Sequence, residues 1–419
     1  MNKINIKLLL FSVALLMGTT AYSMTKAPEI QAPRSEKQLP VKWKTKTISN
    51  LSDHISELKT SDKKLSLENI TYVSEGKSLT VTDTLTDTAT LGLLVLKQDQ
   101  VLHEEYFGNS TQKTLFPSYS INKSITSAMV GIALHDGTIR SIDDSVAQYA
   151  PVLASSSYKD VSLRHLLQMS SGIKFNEGYG FDADYKWMIT YLGWPPNTLD
   201  GYIAGRGHIE NFVPGTYWHY IGMDPAALAT VLRGATGMSM SDYMQEKLWT
   251  PAGMESIATL ETDRHGLEMG FCCTNMTLRD FARFGKIYAN QGKIGGVQIV
   301  PAAWVKESTT PTDYRCGKYE DKAITPDEPC LTAEGGRANP AQDKSADSPN
   351  TIIGYGYMWW VPKDGKEDFI AVGLKGQFIY VDPKKNLVIA KVSNDLNLDK
   401  KGYTDQMLAM FRAIGEKVE

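Results

Sequence analysis

The spacing of apolar and polar positions divides the chain into three regimes. Residues 24 to about 85 show little periodicity, as in "KTSDKK" and "TVTDTLTDTAT", and predict an N-terminal extension that is partly ordered at best. "LGLLVLKQDQVLHEEYFG" then sets two apolar runs around a short polar turn at Gln98-Asp99-Gln100, a β-hairpin pattern. A helix follows from about Ser120 and stops at Asp136-Gly137, where the glycine suits a C-cap. From about 140 to 300 the chain turns mostly helical. "SLRHLLQMSSG", "DPAALATVLRGATG", "SDYMQEKLWTPAGM" and "TLRDFARFGKIYANQG" carry apolar residues at helical spacing with closing glycines. Residues 311 to 350 are polar and rich in Pro, Asp and Gly, which predicts a long surface insertion.

Three strands are then expected from "YGYMWWVP", "DFIAVGLKGQFIYVD" and "NLVIAKVSN", with "DPKKN" as the last turn. An amphipathic helix closes the chain, with Met407, Met410, Phe411 and Ile414 near one face. Strands at both ends and helices between them predict an α+β fold. One antiparallel sheet is assembled from both ends and covered by terminal helices, with an inserted helical subdomain at about 140–300. The division expected is 1–23, 24–85 and a main domain over 86–419.

Composition narrows the class. A net charge of −3 without a basic block argues against nucleic acid as partner. "MNKINIK", the apolar "LLLFSVALLMG" and the small residues of "AYS" form a signal-peptide pattern with cleavage after Ser23. The apolar run is short for a bilayer span, so a periplasmic or secreted protein with no stable membrane span after processing is expected. Four cysteines suit that compartment. A Cys316–Cys330 bridge would close a loop of about 15 residues, worth ~3 kcal/mol. Direct pairing of the adjacent Cys272 and Cys273 is expected to be strained, and three complete pairings stay open. No cysteine or histidine pairs at ligand spacing suggest a metal, and no cofactor is implied.

The chemistry begins with Ser120 and Lys123, which share a helical face at i and i+3 in "FPSYSINKSITSAMVGIALHDG". S-x-x-K also starts at Ser23, Ser56, Ser61, Ser74, Ser110, Ser156 and Ser171, so context must carry the argument. Ser120 opens a helix of small residues, among free backbone N–H groups and the positive end of the dipole. Those donors suit an oxyanion or an ordinary N-cap. Two more stretches matter: "PGTYWHYIGMD", with Tyr220 in a turn before a helix, and "VGLKGQFIYVD", with Lys375-Gly376-Gln377 at a strand start.

With these the chain resembles the β-lactamase-related serine hydrolases, which include class C β-lactamases, D,D-peptidases, esterases and 6-aminohexanoate-dimer hydrolases. "SYSINKSITS", "LRHLLQMSSGI", "PGTYWHYIGMD", "LWTPAGM", "TLRDFARFGKIY", "GYGYMWWVP" and "GLKGQFIYVDP" follow the family's order from about residue 88 onward. The resemblance is to the esterase and linear-amide branch. It implies Ser120 as acylated nucleophile, Lys123 as its base and Tyr220 as proton relay. The backbone N–H groups of Ser120 and Gln377 would form the oxyanion hole. Tyr179, Lys375, Gly376 and Gln377 are the implied substrate contacts. A lysine base must be neutral, which requires lowering its pKa by about three units from 10.4. Lys375 is the candidate cation for that task.

Departures from the family pattern bear on substrate. Y-x-N is Tyr220-Ile221-Gly222 here, and K-[TS]-G is Leu374-Lys375-Gly376. Loss of the amide and displacement of the lysine argue against β-lactam turnover and leave a small-molecule ester or linear amide as expected substrate. Two rivals remain: a D,D-peptidase or weak β-lactamase, and a non-catalytic envelope binding protein of the same fold. A Ser-His-Asp triad is disfavoured because no G-x-S-x-G elbow occurs. His165 and His219 are expected to be structural, Asp182 and Asp184 solvated, and Trp359-Trp360 core.

Overall fold

The computed structural model describes residues 43–177, 184–210, 212–312, 317–320, 323–326, 354–362, 364–395 and 402–418. The signal-like segment, Tyr179, Asp182, Cys316, Cys330 and most of the 311–350 insertion lie outside them. In chain order the first half carries β1 (Lys44–Ile48), β2 (Lys59–Thr60), β3 (Thr71–Ser74), β4 (Lys77–Thr80), α1 (Val81–Asp87), β5 (Thr90–Lys97), β6 (Gln100–Tyr106), β7 (Phe116–Pro117) and α2 (Ile121–His135). The helical middle holds α3 (Val146–Tyr149), α4 (Leu163–Leu167), α5 (Asp184–Leu192), α6 (Leu199–Ala204), α7 (Met223–Thr236) and α8 (Met240–Met244). Then come β8 (Ala258–Thr262), β9 (Thr274–Met276), α9 (Leu278–Ala289), β10 (Lys293–Ile294), β11 (Val297–Gln298), α10 (Ala302–Ser308), β12 (Gly317–Glu320), β13 (Ala323–Pro326), β14 (Phe369–Gly373), β15 (Gln377–Asp382), β16 (Leu387–Ser393) and α11 (Tyr403–Glu416).

The main sheet joins both ends of the chain, in the order β14-β15-β16-β5-β6-β2. Its pairs are antiparallel except the short β2–β6 contact. Alternation sorts its side chains. Leu93, Val95, Phe378 and Ile389 face a core with Met407, Met410 and Phe411 of α11. Leu94, Leu96, Ile379 and Val388 face the larger core that holds α2 and α9. Both faces are therefore covered, and α2 is buried along almost its whole length.

Three expectations give way here. The extension is folded from residue 43 onward: β1 pairs with β8, Leu58, Leu67, Ile70 and Tyr72 are buried, and the buried Arg283 donates to the Ser56 carbonyl at 2.8 Å. "DFIAVGLKGQFIYVD" is a hairpin rather than one strand. It turns at Leu374–Gly376, with Lys375 at φ 61° and Gly376 at φ 80°. "YGYMWWVP" forms no strand, only isolated bridges at Tyr355 and Trp360.

Lys391, fully buried in β16, donates to the Ser393 hydroxyl, and burial pushes its pKa down to about 7 against the pull of Asp395. The unfolded chain keeps this proton to about pH 10.4, so folding stability rises with pH from about 7 to 10, at up to about 1.4 kcal/mol per unit. Lys391→Met is expected to remove that rise and to stabilise the protein at pH 7. Urea midpoints at pH 6.5, 8 and 9.5 check it, and an unchanged pH slope would refute the assignment.

Candidate active site

The nucleophile candidate sits where α2 begins. Ser120 is the N-cap residue, but its backbone is already helical (φ −68°, ψ −9°) and its side chain makes no capping bond. The hydroxyl instead accepts a hydrogen bond from Lys123 Nζ at 2.8 Å. Lys123 is 2% exposed and also donates to the Phe271 carbonyl at 3.2 Å. Its Nζ lies 4.7 Å from the centroid of the Tyr220 ring. Asn122 and Thr126 donate to the Gly270 carbonyl, at 3.0 and 2.7 Å, and so fix α2 against the 269–274 segment. Cys272 and Cys273 form a disulfide directly after Phe271, with Cys273 at φ 78°. Of the pairings that sequence left open, the one present is Cys272 with Cys273.

Tyr220 is 3% exposed and walled by aromatics. Its ring lies 5.7 Å from Trp360 at 30°, 6.0 Å from Trp218 and 6.1 Å from Tyr355. Trp359 is core, as expected, whereas the partly exposed Trp360 packs on the site. Two residues on, Gly222 N donates to Glu177 Oε2 at 2.6 Å. A Cβ on Gly222 would lie 3.3–3.4 Å from both Glu177 oxygens and 3.3 Å from Phe271 Cγ. The volume an asparagine would occupy in Y-x-N is thus filled by a buried carboxylate from another loop. Burial raises the Glu177 pKa, while the Lys123 charge and the Gly222 N–H pull it down. Sequence reasoning missed Glu177. No motif spacing marks it, because it acts across 45 residues.

The β14–β15 hairpin forms the opposite wall, and it alters the expected roles. Gly373, the last residue of β14, is the contact point: a Cβ there would come 2.4 Å from the Ser118 carbonyl oxygen. β14 is the edge strand, whereas β15 lies between β14 and β16. Gln377 is paired with Gly373 across the β14–β15 ladder, and it is the end of β14 that meets the Ser118 carbonyl. The Gln377 side chain, 1% exposed, donates to the carbonyls of Ser393 (2.7 Å), Lys375 (3.1 Å) and Leu374 (3.3 Å). Those bonds tie the turn to β16. Gly376 packs toward Tyr403 Oη and Ser393 Cβ, 2.9 and 3.1 Å from an added Cβ, which is the α11 side of the sheet. Lys375 sits in the turn between β14 and β15 rather than on a strand.

His219 is buried, with its pKa pushed down to about 4 by desolvation, and burial also lowers that of His165. His219 is a neutral core imidazole at pH 7, whereas His165 is only partly buried. Asp184 is no bare loop residue: it accepts the Asn176 N–H at 2.8 Å and pairs with Arg206 at 3.8 Å.

A serine–lysine pair at the buried end of a helix, a tyrosine above it and an edge strand beside it define a serine hydrolase of the penicillin-recognising type. The Beta-lactamase family model matches residues 80–412, and the chain belongs to that family. It is 24% identical over 319 residues to the 6-aminohexanoate-dimer hydrolase of Paenarthrobacter ureafaciens, covering 74% of each chain. Among solved structures, a putative 6-aminohexanoate-dimer hydrolase from Bacillus anthracis superposes with a TM-score of 0.71 at 20% identity, covering 89% of this chain and 91% of that one. A family VIII carboxylesterase gives 0.54 at 18% identity, covering 79% and 95%.

Proposed function

We propose that the protein is an exported hydrolase that cleaves an ester or a linear amide through an acyl-enzyme on Ser120. The carrying observation is the 2.8 Å contact from a buried lysine amine to a serine hydroxyl that makes no capping bond. Lys123 takes the hydroxyl proton as Oγ attacks the carbonyl carbon. Tyr220, stacked beside the amine, passes it to the leaving group. The N–H groups at the start of α2 and the end of β14 receive the oxyanion. Glycine at position 222 leaves no amide for the acylamino arm of a β-lactam or muropeptide, which favours a plainer acyl substrate. The vicinal disulfide supports an oxidising compartment.

The test is hydrolysis of p-nitrophenyl butyrate by the purified mature protein, followed with intact mass, beside Ser120→Ala and with nitrocefin as comparison. Turnover with a Ser120-dependent acyl adduct is expected, and nitrocefin turnover at least about 10²-fold slower. An ester rate untouched by Ser120→Ala, or faster nitrocefin turnover, refutes the reading.

A further inference from the structure

We propose that the Cys272–Cys273 disulfide is a redox-responsive positioning element. Closed, it holds the Phe271 carbonyl against the Lys123 amine; opened by a dithiol, it loosens that base from Ser120. The inference rests on the acyl-enzyme reading above. Its foundation is the grip of residues 269–274 on the start of α2. Before the disulfide, Asn122 donates to the Met269 and Gly270 carbonyls at 3.2 and 3.0 Å, and Thr126 to the Gly270 carbonyl at 2.7 Å. Lys123 Nζ donates to the Phe271 carbonyl at 3.2 Å and to the Ser120 hydroxyl at 2.8 Å. After the disulfide, the Thr274 hydroxyl donates to Asn122 Oδ1 at 2.5 Å. The Thr274 carbonyl accepts the Ser118 N–H at 2.8 Å. The two cysteines are thus the joint between two sets of bonds that both end on residues 118–126, around the nucleophile.

The joint is held in a conformation it would not keep alone. Cys273 has φ 78°, a left-handed backbone that a residue with a Cβ abandons unless its surroundings fix it. A covalent ring through two adjacent side chains is such a fixture. With the bond open, Cys273 can relax, and the carbonyl one residue before the pair moves with it. The amine that this carbonyl holds then loses its register on Ser120 Oγ.

The bond is within reach of a reductant, since Cys272 is 6% exposed and Cys273 is only partly buried. A thiolate of the dithiol bonds to Cys273 Sγ, the S–S bond breaks, and Cys272 Sγ leaves as a thiolate that takes a proton. The second thiol of the reagent then displaces Cys273 Sγ. The chain gains two electrons and two protons, and the dithiol departs as its disulfide. A disulfide oxidant reverses the exchange, which ties activity to an oxidising compartment.

The experiment reduces the protein with dithiothreitol, both as wild type and as Cys316→Ser/Cys330→Ser, in which only the vicinal pair can respond. Intact mass and thiol titration follow the bond. The readouts are kcat and KM on p-nitrophenyl butyrate, fluorophosphonate labelling of Ser120 and the urea midpoint. Reduction is expected to lower kcat and the labelling rate by about 10-fold, the population cost of a left-handed residue with a Cβ. KM should stay within about twofold, and oxidised glutathione should restore the rate. Cys272→Ala/Cys273→Ala should match the reduced protein. Cys272→Ala/Cys273→Gly takes the same φ without a bond, so it should recover to within about threefold of wild type and ignore dithiothreitol. Undiminished activity in the reduced protein or the alanine variant would overturn the proposal. So would a glycine variant as poor as the alanine one, or a loss of kcat that only tracks loss of fold. Oxidised protein that is not labelled at Ser120 would instead overturn the acyl-enzyme reading, and this inference with it.

Discussion

Replacing Lys123 by methionine is expected to lower kcat/KM on p-nitrophenyl butyrate by about 10³–10⁴-fold, the upper part of the range for removal of a positioned base. The side chain is buried, so methionine conserves most of its volume while removing the hydrogen bond to Ser120 Oγ. Glu177 then loses its counter-charge, and burial lets it take a proton instead of standing as an orphan anion. The fold should survive. Lys123→Arg makes the sharper comparison. It keeps a cation beside Tyr220 but cannot become neutral, since a guanidinium holds its proton above pH 12. If Lys123 acts as a base, both variants fall together. An arginine variant with more than about a tenth of wild-type rate would show that charge, not proton transfer, is what the position supplies.

The sequence made some of this legible, for identifiable physical reasons. α2 and α7 were readable because each ends at a glycine in left-handed conformation, Gly137 and Gly237. The pairing of chain ends in one sheet followed from strands lying at both ends of a helical middle. The β14–β15 hairpin was not legible. Both faces of these strands are buried, so alternation disappears and two strands read as one apolar run. The extension failed for the opposite reason. Its apolar residues are sparse, and its order comes from remote partners such as Arg283 and β8. At the site, Ser120 and Lys123 were visible because they are neighbours on one helix. Glu177 and the Phe271 carbonyl reach their partners across 45 and 148 residues, where spacing carries no information. Placing the oxyanion donor at Gln377 took no account of which strand is the edge, which sequence does not show.

That last point yields the second large effect. Gly373→Ala is expected to lower kcat by about 10²-fold, because the added methyl would sit 2.4 Å from the backbone oxygen of Ser118. Backbone cannot yield as a flexible side chain can, so β14 or the entry to α2 must shift by about 1 Å, the scale of misplacement that costs such a factor. The overpacking itself costs about 1–3 kcal/mol, which a domain of this size tolerates while folded. Activity should therefore fall far more than stability. Gly376→Ala is the control. It strains a residue at φ 80° and crowds Tyr403 on the α11 side, so it should lower the unfolding midpoint with a smaller effect on kcat. Measuring kcat, fluorophosphonate labelling and urea midpoints for both variants separates the two glycines. If Gly376→Ala cripples catalysis while Gly373→Ala does not, the donor lies on the turn or β15, and the edge-strand assignment is wrong.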